Sequence, residues 1–177
     1  MPTIDTGTPD LLASLDEGVL TLTMNRPEAR NAMSQAMNQA LQQQLASAEL
    51  DPAVKCIVLT GAGKGFCAGG DVKGMAARGD GTVGAQTIDE AIARQRINQR
   101  ATAGKLFKMP KPTIAALPGA AAGAGLALAL ACDLRVMASS AIMTTAFARV
   151  GFSGDYGGTY FLTQLVGSAK ARELYFL

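Results

Sequence analysis

Apolar and polar positions along this 177-residue chain alternate between the period of a strand and that of a helix. Val19 to Met24 (Val-Leu-Thr-Leu-Thr-Met) is β-rich and stops at the turn signal Asn25-Arg26-Pro27. Ser34 then offers a helix cap. Met33, Met37, Leu41, Leu45 and Ala48 recur at helical spacing as far as Asp51-Pro52. Cys56 to Gly61 is a continuous apolar run and predicts a strand covered on both faces. After a glycine-rich turn, Asp71 to Met75 predicts a short helix, and Arg78 to Ala85 a mobile loop that walls a pocket. Thr87-Ile88-Asp89-Glu90 fits a capping box, opening a helix that runs to Met109-Pro110 with Arg94, Arg96 and Arg100 on a solvated basic face. Pro112 to Leu117 and Leu134 to Ala138 predict strands, Gly123 to Ala131 a helix of small residues, and Thr159 onward a further helix. Strands alternating with helices make this an α/β protein, a single domain over 1–177, with no internal repeat.

Composition narrows the chemistry. Hydrophobic residues make up 49%, enough for one packed core, and with no Trp that core is built from Ala, Leu, Val, Ile and Met. The net charge of +2, with no basic stripe among aromatics, argues against nucleic acid as a partner. Cys56, Cys67 and Cys132 sit in apolar surroundings without paired or metal-like spacing, as buried thiols in a reducing compartment do. Met1 to Asp10 lacks a secretory pattern, so a cytoplasmic location is expected. Pro112 to Cys132 is uncharged and about long enough for a bilayer, but Pro118-Gly119 breaks it, so a strand–turn–helix is expected and no membrane partner. The chain contains no His, which removes imidazole catalysis, His-based triads and His-ligated metals. Proton transfer is left to a carboxylate, Lys, Tyr, Cys or water.

Two nucleotide-like patterns fail. Gly61-Ala62-Gly63-Lys64-Gly65 has Phe66 where a dinucleotide fingerprint needs Gly, and its spacing is wrong for a P-loop. Gly151-Phe152-Ser153-Gly154 is no nucleophile elbow, since its glycine is misplaced and no His exists to activate Ser153. More telling are the turns Phe66-Cys67-Ala68-Gly69-Gly70-Asp71 and Pro118-Gly119-Ala120-Ala121-Ala122-Gly123-Ala124-Gly125. Each follows a buried strand and opens a helix, where unpaired N–H groups and a partial positive charge gather. Facing one cleft, two such turns could hold a developing oxyanion between main-chain donors. A third loop, Gly151 to Gly158, adds the carboxylate of Asp155.

These residues resemble a family. Asn25-Arg26-Pro27-Glu28-Ala29-Arg30-Asn31-Ala32-Met33, Phe66-Cys67-Ala68-Gly69-Gly70-Asp71-Val72, Lys111-Pro112-Thr113-Ile114-Ala115-Ala116 and Cys132-Asp133-Leu134-Arg135 are similar to the enoyl-CoA hydratase/isomerase (crotonase) superfamily, in its order and spacing. The resemblance implies a crotonase-like spiral of ββα units and a homotrimer or hexamer. It further implies that the family's C-terminal helices are missing here. An acyl-CoA thioester is the implied substrate, with coenzyme A as part of it and no separate cofactor or metal. By the same resemblance the oxyanion donors are the N–H groups of Gly70 and Ala124, and Ala29, Arg30, Ala68, Asp71 and Val72 adjoin the CoA moiety. Asp71 has a competing role as a helix cap. Where the family's hydratases carry two glutamates, this sequence has Ala127 and Phe147, neither of which moves a proton. Asp155 falls where some isomerases, hydrolases and dehalogenases of the superfamily carry their working Asp, though it could instead cap the helix that follows. Enoyl-CoA double-bond isomerisation is therefore expected first. Hydration, thioester hydrolysis and non-catalytic acyl-CoA binding are the alternatives.

Overall fold

The computed structural model describes residues 2–72, 74 and 87–177. The loop expected at Arg78 to Ala85 lies outside them. Six strands form one sheet, in the order β1 (Thr3–Ile4), β2 (Leu11–Asp16), β3 (Val19–Met24), β4 (Cys56–Gly61), β5 (Thr113–Leu117) and β7 (Leu134–Met137). β1, β2 and β3 pair antiparallel, and β3, β4, β5 and β7 run parallel. Parallel neighbours need long crossovers. Helices α1 (Gln35–Leu50), α2 (Ile88–Ala101), α3 (Ala103–Phe107) and α4 (Ala124–Ala131) lie in them, and α5 (Gly158–Phe176) closes the chain.

One face of the sheet carries the core. Leu20, Leu22 and Met24, then Ile57 and Leu59, then Ala115 and Leu117 point into a single buried cluster with Met37, Leu41 and Leu45 of α1. β4 is not covered on both faces as its apolar run suggested: Ile57, Leu59 and Gly61 are buried, while Cys56, Val58 and Thr60 are half-exposed. The hydrophobic run overstated the burial because Val and Cys suit a pleated surface even when half-wet. α1 starts at the predicted cap, with the Ser34 hydroxyl accepting from the Met37 N–H at 3.0 Å. Thr87 and Glu90 form both bonds of the predicted capping box. The helix they open stops earlier than its pattern suggested, breaking at Thr102 before the short α3. Arg94, Arg96 and Arg100 are exposed, as expected.

A second, smaller layer sits beyond the C-terminal ends of the parallel strands. β6 (Ala121–Ala122) pairs in parallel with β8 (Met143–Thr144), and single bridges join Met33 to Gly70 and Cys67 to Ala121. After each parallel strand the chain thus bends into a short second pairing before its next helix. That repeated strand, short strand and helix unit is the spiral expected from the resemblance. It is a repeat of backbone path and not of side chains, so sequence self-similarity could not reveal it. Among the described residues no helix is long and apolar enough to cross a membrane. All eight residues of α4 are buried in the core instead.

Candidate active site

The two glycine-rich turns are sewn together by main-chain bonds. Phe66 and Cys67 donate their N–H groups to the Ala120 carbonyl at 3.0 and 3.2 Å, and Ala122 donates to the Cys67 carbonyl at 2.9 Å. Ala68 donates to the Arg30 carbonyl at 3.0 Å, and the Gly69 carbonyl accepts from Met33 at 2.8 Å. Gly123 donates to Thr144 at 3.2 Å. These bonds consume the neighbouring donors but not the N–H groups of Gly70 and Ala124, which no acceptor among the described residues takes. Ala124 is the first residue of α4, where a helix leaves its N–H unpaired. Gly70 and Ala124 line one cavity of about 110 Å³ together with Ala68, Val72, Phe147 and Asp155.

Gly125 is what lets the turns meet. A Cβ there would overlap the Cys67 carbonyl and lie 2.6 Å from the Cys67 Cβ, so only a bare backbone fits. Gly125→Ala is expected to destabilise the protein by about 1–3 kcal/mol through overpacking. Urea unfolding at equilibrium reads this, and an unchanged midpoint would contradict the packing described.

The Asn-Arg-Pro motif holds the first turn rigid. Asn31, fully buried, donates through Nδ2 to the Ala62 and Gly65 carbonyls at 2.9 Å each and accepts the Arg26 N–H on Oδ1 at 2.9 Å. Arg26 in turn donates to the Ala32 carbonyl at 2.8 Å and to the Asp71 carboxylate at 3.0 Å. The other Asp71 oxygen accepts the Gly74 N–H at 3.0 Å. Asp71 thus makes the local main-chain bond that a cap would make, while the short helix expected from Asp71 to Met75 lies partly outside the described residues. Ala29 and Arg30 sit in the adjoining turn and do not line the cavity.

Asp155 reaches the cavity from the third loop. It does not cap α5 with its side chain: the N-cap is Gly157, without a side-chain bond, and only the Asp155 main-chain carbonyl accepts, from Gly158 at 3.0 Å. Its Oδ2 accepts a long bond of 3.4 Å from Gln95 on α2, and its Oδ1 is buried with no partner among the described residues. Burial pushes this carboxyl up to about 6. Tyr156, held in the left-handed region at φ 50°, donates its hydroxyl to Asn38 of α1 at 3.3 Å and fixes the loop. Such strain beside a buried acid marks a site where position matters more than stability.

The raised value has a consequence for folding. The folded chain holds the Asp155 proton up to about pH 6, whereas the unfolded chain releases it near its ordinary 3.8. Stability therefore falls as pH rises through that window and stays lower above it. Asp155→Asn removes the buried charge, so its melting temperature is expected to exceed that of the parent at pH 8 and to match it near pH 3, below both values. A gain of equal size at the two pH values would contradict this.

The other positions singled out in the sequence fall into place around the acid. Ala127 is fully buried on α4, and Phe147 lines the cavity. The Cys67 and Cys132 thiols are pushed up to about 12 by burial, so they are inert neutral packing groups at ordinary pH. Gln95 and Tyr175 approach the acid although nothing in their sequence neighbourhood marks them. Both are brought in by helix packing. Two free main-chain donors, apolar walls and one carboxylate among the described residues suit an oxygen that gains negative charge beside a carbon that loses a proton.

Comparison with known proteins gives the family. The family model for enoyl-CoA hydratase/isomerase matches residues 14–177. The 1,2-epoxyphenylacetyl-CoA isomerase of Escherichia coli (strain K12) is 39% identical over 164 residues, covering 93% of this chain and 61% of that protein. Enoyl-CoA hydratase domain-containing protein 2, mitochondrial, of Homo sapiens is 40% identical over 166 residues, with 93% and 54% covered. The crystal structure of an enoyl-CoA hydratase from Polaromonas sp. JS666 superimposes with a TM-score of 0.81 at 36% identity, covering 93% of this chain and 62% of that one. The chain thus spans between 54% and 62% of the length of these relatives. Fold, motif order and this match agree that the chain belongs to the enoyl-CoA hydratase/isomerase family.

Proposed function

We propose that this protein isomerises the double bond of an enoyl-CoA, with Asp155 as its single proton carrier. The supporting observation is the cavity itself, where one carboxylate shares walls with the Gly70 and Ala124 main-chain groups. The thioester carbonyl accepts from those two N–H groups. Asp155 takes a proton from the α carbon of a 3-enoyl thioester, and the electron pair moves into a dienolate whose oxygen the two donors hold. Asp155 then returns the proton to the γ carbon, leaving the 2-enoyl thioester and an ionised carboxylate. No water is consumed, so one acid suffices where hydration needs two. Ala127 and Phe147, standing where the family's hydratases carry glutamates, fit this economy. Ala29, Arg30, Ala68, Asp71 and Val72 adjoin the CoA moiety in this reading, the main chain of Ala68 at the cavity edge being the best placed.

The test is incubation of a 3-enoyl-CoA with the protein in ¹⁸O-labelled water, with products separated by mass. The expected product is the unlabelled 2-enoyl-CoA. A labelled 3-hydroxyacyl-CoA formed from 2-enoyl-CoA, with no product from 3-enoyl-CoA, would replace this reading by hydration, and labelled free acid by hydrolysis. Tight binding without any product would leave an acyl-CoA binding protein.

A further inference from the structure

Two buried side-chain oxygen atoms have no hydrogen-bond partner among the described residues: Asp155 Oδ1 and the Tyr175 hydroxyl. They belong to opposite ends of one folded-back segment. α5 begins at Gly158, and a straight helix would set Tyr175 about 25 Å away from it. Gly167, at φ 77° and ψ 162°, instead breaks the helix and turns its second half back. As a result the Tyr175 hydroxyl lies 3.0 Å from the point a Cβ on Gly158 would occupy, and its ring edge is 3.5 Å from the same point on Gly154. Those glycines flank the Asp155 loop. The Tyr175 ring is stacked on Phe147, with centroids 6.4 Å apart and planes within 3°. Phe147 lines the cavity beside Asp155. The ring is therefore clamped with its hydroxyl aimed at the acid-bearing loop, and the lack of a side chain at Gly158 is what leaves it room.

An orphaned buried hydroxyl next to an orphaned buried carboxylate oxygen is costly twice over, and one bond between them cures both. The two atoms do not bond to each other in this structure. We propose that Tyr175 is a positioning residue for Asp155, its hydroxyl donating to Oδ1 when the cavity is occupied, so that the carboxylate is aimed and kept ionised. This rests on the isomerase reading above. The charge of Asp155 reaches the phenol, since after burial it is the second influence pushing Tyr175 up. The other groups around the acid do not compete for this task. α2 supplies the neutral Gln95, whose bond goes to Oδ2, and α4 contributes apolar Ala124 and Ala127. Tyr156 is committed to Asn38 and, like Cys67, is pushed up to about 12 and stays neutral.

The test is Tyr175→Phe, which keeps the ring and its stack on Phe147 and removes only the hydroxyl. A hydroxyl bond to the ionised carboxylate lowers its pKa, so losing it raises that value by roughly one unit. The acid limb of kcat for 3-enoyl-CoA, which reports the occupied cavity, is expected to move up by the same amount, giving about fivefold lower kcat at the parental midpoint and near-parental kcat at pH 9, with KM unchanged there. ¹³C-carboxylate NMR of Asp155 with a saturated, unreactive acyl-CoA bound should show the same displacement with no turnover involved. An unmoved Asp155 titration and an unmoved acid limb would overturn the proposal. The two readings fail differently. If Asp155 is not the base, Asp155→Asn keeps its activity whatever the NMR titration of the Tyr175 variant shows. If Tyr175 does not position it, Asp155→Asn is inactive while Tyr175→Phe titrates like its parent.

Discussion

Asp155→Asn is expected to lower kcat/KM for 3-enoyl-CoA isomerisation about 10²–10⁴-fold, the usual worth of a positioned general base. The size follows from what the substitution leaves alone. Asn keeps the shape of the side chain and can still meet Gln95, while the Gly70 and Ala124 donors are main-chain groups that a side-chain change does not touch. Substrate binding should therefore survive and kcat should carry the loss. The pH profile gives an independent check. With its carboxyl at about 6, Asp155 is mostly ionised at neutral pH yet still basic enough to take a carbon-bound proton. Parental kcat/KM should fall tenfold per unit below that value, and the variant's residual rate should be flat across it. Equal turnover by the two proteins would end the role assigned to Asp155, whatever family the chain belongs to.

Much of the fold was readable because single segments carried their own signals. The Ser34 and Thr87 caps, the β4 run and the α4 stretch needed no tertiary information. What was hidden depended on pairing or reversal. β2 escaped because Leu11 to Asp16 mixes Ala and Ser into its alternation, and only its register against β3 (Leu11 opposite Met24) makes it a strand. The two-residue strands β6 and β8 are too short for any periodicity. The break at Gly167 lies inside a plausible helical pattern, and a lone glycine there is normally tolerated. For the site the division is similar. Gly70, Ala124 and Asp155 stand in turns whose composition announces them, and they meet in one cavity. Tyr175 is an ordinary aromatic near the end of a helix until the reversal at Gly167 carries it back to the acid.

Removing a single main-chain donor is the sharper experiment, because it tests thioester activation without presuming which reaction follows. Ala124→Pro does this. Proline is well accepted at the first position of a helix, where its missing N–H has no partner in the ladder. The residue before it must be extended, and Gly123 at φ 52° and ψ −123° is the mirror image of an extended conformation, open to glycine. α4 should therefore form as before, which an unchanged urea midpoint would verify. Loss of one donor to a developing oxyanion costs about 10²–10³ in kcat, or about 2.7–4 kcal/mol. The proline ring also adds atoms at the cavity wall, and crowding alone would raise KM, whereas a lost transition-state bond lowers kcat. A fall concentrated in kcat is the expected result, and it should appear equally for isomerisation, hydration or hydrolysis. If the Asp155→Asn and Ala124→Pro changes serve the same transition state, combining them should cost less than the sum of the two free energies. A fully folded Ala124→Pro protein with parental kcat would mean that the thioester oxygen is held elsewhere, and the assignment of Gly70 and Ala124 would go with it.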